Sequence, residues 1–393
     1  MKTLYLSYDG MTDPLGQSQV LPYLAGLINE GHHIELISFE KEDNFNKLGL
    51  SIKKFCAENK IVWHPLSYTK KPPLISTFYD VKRMQMKAAK LHSKTIFDIV
   101  HCRGYISAYV GLKLQEKGVK SIFDMRGFWA DERKDGNIWN TSKWIYRQAY
   151  KFVKRLEIKL FNNSCYTVTL TENSKLFIHQ HFKIDNEKIG TIPTCVDHNK
   201  FRILDQELNN KRKVELNLKG KTILLYSGSL GTESYDVSTL ENAFSFFQNE
   251  IPNAFLLILT KDIPSENLKI DQANYRILSV SHPEVNSYLN IVDYGFIFYN
   301  SGWSNICRNP TKLGEYLATG LPTFALGDFG DIKDLAAAFH VQLLVNNTSE
   351  EWGKAISFFN SNKKTNFEIR SLSMHYYALE RGIKFYNEIY KRI

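Results

Sequence analysis

The stretch from Asn305 to Phe324 gathers an unusual density of groups that could bind an anion. Pro310 suits the first turn of a helix, where its missing N–H would have no partner anyway. Asn309 before it suits the N-cap. The amides of Thr311, Lys312 and Leu313 would then face out of the helix start, where unsatisfied donors and the helix dipole attract negative charge. Lys312 adds a full charge there, and Arg308 stands just outside. Glu315, one turn further in, can accept hydrogen bonds from vicinal hydroxyls. A diphosphate with a ribose beside it would satisfy all of these groups. An amphipathic helix with a solvated Lys–Glu pair would show the same residues.

Three segments of the first half carry further chemistry. In Leu15–Pro22, Gly16 permits close backbone approach, and Gln17 and Ser18 can donate to a phosphate or a sugar hydroxyl; a tight turn is the plainer reading. In Asp98–Gly104, Arg103 could stabilise a departing diphosphate, while His101 reads more as a buried, satisfied histidine. In Phe123–Arg133, Asp124 and Arg126 come first after a strand and are taken as site residues. The Phe128 and Trp129 beside them would suit sugar rings, and the arginines phosphates. An internal ion-pair network around a buried Trp would account for this segment as well.

These segments need elements to hold them. Short apolar runs alternate with helical patterns: Thr3–Tyr8, Ile34–Phe39, Ile61–Pro65, Ile99–Cys102, Ser121–Met125 and Tyr166–Leu170 read as strands. A second series follows in Thr222–Ser227, Phe255–Thr260, Tyr275–Ser279, Tyr294–Tyr299 and Thr323–Leu326. Strands alternating with helices predict an α/β chain with parallel, doubly wound sheets. The expected division is a first domain over 1–196, a polar linker over 197–221, a second domain over 222–375, and a last helix over 376–393. Two such domains facing across a cleft would place a ligand between them.

The Asn305–Phe324 segment resembles the donor-site signature of retaining glycosyltransferases of family four, which have the GT-B fold of two Rossmann-like domains. Glu315, Ala318, Gly320 and Pro322 match its second half. The signature's first Glu falls at Cys307 here, which leaves the sugar-contact role unassigned, and some family members with a Pro-Thr-Lys version also lack it. The resemblance extends along nearly the whole chain. Lys188–Phe201 is similar to the bridge into the second domain, and Tyr226–Gly231 to the Gly-rich turn after that domain's first strand. The family's diphosphate-contacting Arg and Lys are missing there: Ser229 stands at one position, and no Lys lies between Gly231 and Leu240. The resemblance implies that Gly16, Gly228, Ser229, Ser279, Val280, Arg308, Asn309, Thr311, Lys312, Leu313 and Glu315 bind a nucleotide diphospho-sugar, UDP-linked. Glu315 would hold the ribose, Ser279–Ser281 the base, and Lys312 or Arg308 would replace the missing charge. Gln17, Ser18, His101, Asp124 and Arg126 would face the acceptor, a saccharide or a lipid-diphosphate-linked saccharide of surface-polysaccharide assembly. Arg103, Lys312 and Glu315 would carry catalysis, with retention of configuration, no cofactor and no metal. The last helix would cross back onto the first domain.

Composition bounds the alternatives. Apolar residues make up 43% and charged residues 23%, as in ordinary globular chains. No run of 18 apolar residues occurs and the N-terminus lacks signal-peptide features, so a cytosolic protein is expected. Five scattered cysteines without a C-x-x-C argue against a disulfide or zinc framework. The net charge is +9, and it is concentrated: residues 51–160 hold 23 basic and 9 acidic side chains. Such asymmetry suggests a polyanionic partner. No helix-turn-helix, zinc-finger or RNA-recognition signature supports a nucleic-acid-binding protein, and a GT-B sugar-nucleotide epimerase is the nearer alternative. The basic faces of the helical segments Asp80–Lys94 and Ser142–Phe161 would instead meet anionic lipid, placing the protein peripherally on the inner face of the plasma membrane. Solvated faces of ordinary sheet-covering helices would look the same.

Overall fold

A computed structural model describes residues 1–72, 75–230, 236–262 and 268–393. The chain forms two compact units. The first comprises residues 1–134, 139–193 and 379–393, and the second residues 135–138 and 194–378.

The first unit is built on a seven-stranded parallel sheet: β1 (Lys2–Ser7), β2 (His33–Glu40), β3 (Val62–Ser67), β4 (Ile99–Arg103), β5 (Lys120–Asp124), β6 (Tyr166–Thr169) and β7 (Ile189–Thr191), in the order β3-β2-β1-β4-β5-β6-β7. β1 is buried from Thr3 to Ser7 and β4 throughout. Strands covered by helices on both faces are apolar runs for that reason. The second unit holds a six-stranded parallel sheet: β8 (Thr222–Ser227), β9 (Ala254–Leu259), β10 (Tyr275–Leu278), β11 (Tyr294–Phe298), β12 (Thr323–Leu326) and β13 (Val341–Leu344), in the order β10-β9-β8-β11-β12-β13. Both strand orders reverse once, between β1 and β4 and between β8 and β11. The carboxyl ends of strands at such a switch point are where open α/β sheets form their crevices. The expected α/β architecture is therefore present, with eleven of the strands near their expected places. β7 and β13 were not anticipated. They are edge strands of three and four residues.

Several boundaries differ from expectation. Residues 197–221 cluster with the second unit and carry a helix, Gln206–Glu215. That helix buries none of its own side chains, so its sequence reads as a polar connector. The final helix runs Leu379–Arg392 and belongs to the first unit. It sets Tyr386 edge-on to Tyr23 and bonds Asn387 to both His32 and Glu30. No helix among the described residues is long and apolar enough to cross a membrane.

Between β1 and β2 the chain forms two helices, Pro14–Gln19 and Leu21–Asn29, separated at Val20. Gly16 lies in the first piece, and a Cβ there would sit 2.2 Å from the Gly10 carbonyl oxygen and 2.6 Å from Met11 Cα. Its close approach is to the chain's own loop, not to an outside phosphate. Gly16→Ala must push rigid backbone apart, and overpacking of this kind costs about 1–3 kcal/mol. Urea unfolding is expected to show that loss, and an unchanged midpoint would refute the packing role.

Candidate functional site: one cluster in each unit

In the second unit the chemistry gathers at the carboxyl end of β8. Gly228 follows that strand at φ +144, and a Cβ there would fall 1.7 Å from Lys312 Nζ. The absent side chain is what lets the amine lie over the turn. Nζ also stands 5.2 Å from the centre of the Tyr226 ring, a cation–π distance. Burial pulls the Lys312 amine down to about 8, with Glu315 acting in the opposite direction. Glu315 is buried, its Oε1 3.5 Å from His282 Nε2. His282 is set by the turn before it: Ser281 N–H and Oγ both donate to Glu284 Oε2, at 3.0 and 2.5 Å, closing a capping box.

The helix carrying Lys312 and Glu315 runs Thr311–Ala318, with Pro310 in the N-cap position. Asn309 is therefore not the cap. Its Oδ1 accepts the Thr194 amide at 3.0 Å, which ties down the start of the second unit's main segment. Leu313 is also displaced from its expected role: its amide donates to the Pro310 carbonyl at 3.0 Å, and its side chain is buried in the core. Of the three amides expected to face an anion, Thr311 and Lys312 are left. At the other end, Arg370 Nη1 donates to the Ala318 carbonyl and Nη2 to the His198 carbonyl at 2.7 Å, a cation at a helix C-terminus. Cys307 is fully buried, so it is in no position to take over the sugar contact of the family's Glu. Arg308 lies over the Tyr299 ring at 4.8 Å, and its buried Nε has no hydrogen-bond partner. It lines a small pocket of about 20 Å³ with Tyr299 and Asn305. Ser229 is exposed and its carbonyl accepts from the Tyr226 hydroxyl at 2.7 Å. Ser279 is exposed just past β10, whereas Val280 packs on the core. Gly231 lies outside the described residues.

In the first unit the chemistry gathers at the carboxyl ends of β4 and β5. Asp124 ends β5, only 1% exposed, with Arg126 Nη1 at 3.6 Å, His101 Nε2 at 3.7 Å and Arg103 Nη1 at 3.8 Å. Tyr386 of the final helix donates to it at 3.1 Å. Burial alone would raise the Asp124 carboxyl, but Arg126, His101 and Arg103 overcome it and hold it at about 2. Burial keeps His101 low, its Nδ1 2.8 Å from the Tyr390 hydroxyl. Asp124 and His101 are both buried, 1% exposed, beneath the two arginines. They support Arg103 and Arg126, which line a pocket of about 150 Å³ shared with Asp9 and Glu132. Arg126 holds φ +61, an uncommon value for a side chain this large.

Gln17 and Ser18 are not presented to an acceptor. Gln17 Nε2 donates to the Thr12 carbonyl at 3.1 Å and Ser18 Oγ to the Pro14 carbonyl at 2.8 Å, so both brace their own loop. The anchor of that loop, Glu40, gave no signal in the sequence. Its buried carboxylate accepts the Met11 and Thr12 amides at 2.8 and 3.0 Å and the Ser38 hydroxyl at 2.6 Å. Tyr226, His282 and Arg370 were likewise unassigned. The only available hints were an aromatic residue two before a strand-end glycine and a His-Pro-Glu turn.

Residues 17–200 match the model of Glycosyltransferase Family 4. No curated protein matches the sequence. Solved structures with a similar fold include Anabaena Alr3699/HepE in complex with UDP and glucose, 12% identical, TM-score 0.72, with 100% of each chain covered. WaaG, a glycosyltransferase involved in lipopolysaccharide biosynthesis, is 12% identical at TM-score 0.66, with 98% of this chain and 99% of that one covered. The UDP-GlcNAc 2-epimerase of Neisseria meningitidis, bound to UDP-GlcNAc, is 12% identical at TM-score 0.59 over 100% of both chains. With two parallel sheets of seven and six strands, the chain has the GT-B fold, and its residues 17–200 match the Glycosyltransferase Family 4 model.

Proposed function

We propose that the protein transfers a sugar from a nucleotide diphospho-sugar, UDP-linked, to a saccharide or lipid-linked saccharide acceptor in surface-polysaccharide synthesis, with retention of configuration. The observation that carries this reading is the buried Lys312 amine lying over Gly228, with Glu315 one turn further along the same helix. A buried cation over a side-chain-free turn fits a diphosphate, and a buried carboxylate next to it fits the ribose hydroxyls. In this reading the departing UDP is held by Lys312 and the amides of Thr311 and Lys312, which need not reorganise as charge develops on the leaving oxygen. The complexes of HepE with UDP and glucose support a UDP-linked donor. The basic exposed faces of the helices Ile75–His92 and Trp144–Asn163 would rest on anionic lipid at the inner face of the membrane.

Glu315→Gln is expected to weaken UDP binding by about 1–3 kcal/mol, the scale of a hydrogen bond to a charged group. Calorimetric titration with UDP and GDP tests this, and unchanged affinity for both would remove the ribose assignment. A panel of nucleotide sugars, read by thermal stabilisation and by donor hydrolysis, tests the wider reading. The epimerase fold relative favours one alternative, and conversion of a donor to its epimer without acceptor would establish it in place of transfer.

A further inference from the structure

The transfer reaction as described leaves Arg308 of the second unit unused. This residue lies between the turn Trp303–Cys307 and the helix Thr311–Ala318. Its guanidinium rests on the Tyr299 ring at 4.8 Å and makes no hydrogen bond or ion pair with any described residue. An aromatic face holds a guanidinium without using its N–H donors. Ser304, on the turn before it, is fully buried, and its hydroxyl has no partner. Both residues line the pocket of about 20 Å³ beyond the carboxyl end of β11. The other polar groups there are committed. Asn305 Nδ2 donates to the Asn300 carbonyl at 2.8 Å. Asp135, the one carboxylate in the lining, accepts the Ser304 amide at 2.8 Å and does not pair with Arg308. What remains for a ligand is a cation and a hydroxyl donor, so the ligand must bring an anionic acceptor.

Size and position narrow that anion. A space of about 20 Å³ admits one or two water-sized groups. It takes a planar carboxylate and is too small for a sugar ring or a tetrahedral phosphate. In a nucleotide diphospho-sugar the ribose, diphosphate and sugar follow in line. Glu315 is assigned the ribose, and Lys312, one turn nearer the helix start, the diphosphate. Arg308 continues the same line. It and Pro310 have extended backbone, with ψ 124 and 127, so the three steps from Thr311 back to Arg308 span up to about 10 Å. That is the reach from a diphosphate to the far edge of the hexose attached to it. The neighbouring Cys307 adds a second argument. A Glu at that place would accept hydrogen bonds from sugar hydroxyls and repel an acidic sugar. The buried, uncharged Cys307 removes the repulsion.

We propose that the donor sugar is a hexuronic acid, its carboxylate bound by the Arg308 guanidinium and the Ser304 hydroxyl. The inference rests on the transferase reading and narrows its donor to an acidic sugar. Arg308 is then a specificity residue: it selects the sugar and takes no part in breaking the bond to the diphosphate.

UDP, UDP-glucose, UDP-glucuronate and UDP-galacturonate are to be titrated separately into the full chain, with binding read by calorimetry. Two uronates are used because Arg308 reads the carboxylate and not the configuration of the ring hydroxyls. One of them is expected to bind at least about tenfold tighter than UDP-glucose, the scale of a charge-assisted hydrogen bond. In Arg308→Gln that preference should fall below about twofold. Arg308→Lys keeps the charge and loses the planar fork, so it should recover the preference in part. A thermal melt of each variant shows that it is folded. No preference of the wild type for either uronate over UDP-glucose would overturn the proposal. So would a loss in Arg308→Gln that is equal for UDP and for the uronate, since Arg308 would then meet the diphosphate. UDP binding without a uronate preference removes this inference alone, whereas failure to bind any of the four removes the transferase reading itself.

Discussion

Lys312→Met should raise the melting temperature of the unliganded protein and, in the same variant, nearly abolish the further rise that UDP produces. The amine sits at about 8 because burial disfavours its charge. A lysine whose folded pKa lies below its unfolded value weakens the fold fully below the folded pKa. That penalty fades as pH climbs from about 8 towards 10.5, where both states are neutral. Discounted for the surface the side chain retains, the penalty is about 1–3 kcal/mol at neutral pH. Methionine has nearly the same shape without the charge, so it should recover that amount. The same charge is what a diphosphate would use. Its loss should weaken UDP by about 10–100-fold, the scale of a charged hydrogen bond, and uridine hardly at all. A second signature follows from the same titration. UDP affinity should fall about tenfold per pH unit above pH 8, because the amine must then take up a proton to bind, and this slope should vanish in Lys312→Met. Differential scanning calorimetry without ligand, with UDP and with uridine, at pH 7 and 9, reads all of these. Equal losses of UDP and uridine binding would show that Lys312 does not touch phosphate.

The second large effect is expected in the first unit. Asp124→Asn removes the one anion to which Arg103, Arg126 and His101 are all drawn, in a place almost without solvent. Breaking a buried pair by deleting one partner typically costs about 3–5 kcal/mol, since the remaining charges are left uncompensated. The pH dependence has a definite sign. A carboxylate held at about 2 in the fold, against an ordinary value of 3.8, contributes stability that is complete above roughly pH 4. That contribution, about 2 kcal/mol, is lost as pH falls towards 2. Urea unfolding of the wild type and Asp124→Asn at pH 7 and pH 3 should therefore show a large gap that narrows in acid. Asp328→Asn, in an exposed pair with Lys333, is the comparison and should change little. A wild-type midpoint insensitive to acid over that range, or equal stability of the two proteins at pH 7, would refute this account of the cluster.

Both effects show where the sequence stopped being informative. The strands and the helix at Thr311–Ala318 were legible because their signals are local. Apolar runs flanked by Gly and polar turns mark buried parallel strands, and Pro310 with Gly320 brackets a helix whatever it packs against. The candidate donor residues Lys312 and Glu315 could be named because they share that one helix. The same local rules misjudged the caps and the linker. Asn309 has the chemistry of an N-cap, yet Thr194, remote in sequence, holds its side chain. Residues 197–221 look like a connector because their helix faces water. Only the tertiary structure decided that Gly228 makes room for the Lys312 amine, that Asp124 and His101 support arginines instead of facing a ligand, and that Gly16 meets its own loop. It alone brought Asp135, remote in sequence, onto the turn before Arg308. Each of these depends on groups far apart in the chain arriving within a few ångströms. A local pattern carries no information about that distance, because burial and partner choice are fixed by how the sheets and helices pack, not by the spacing of residues along one element.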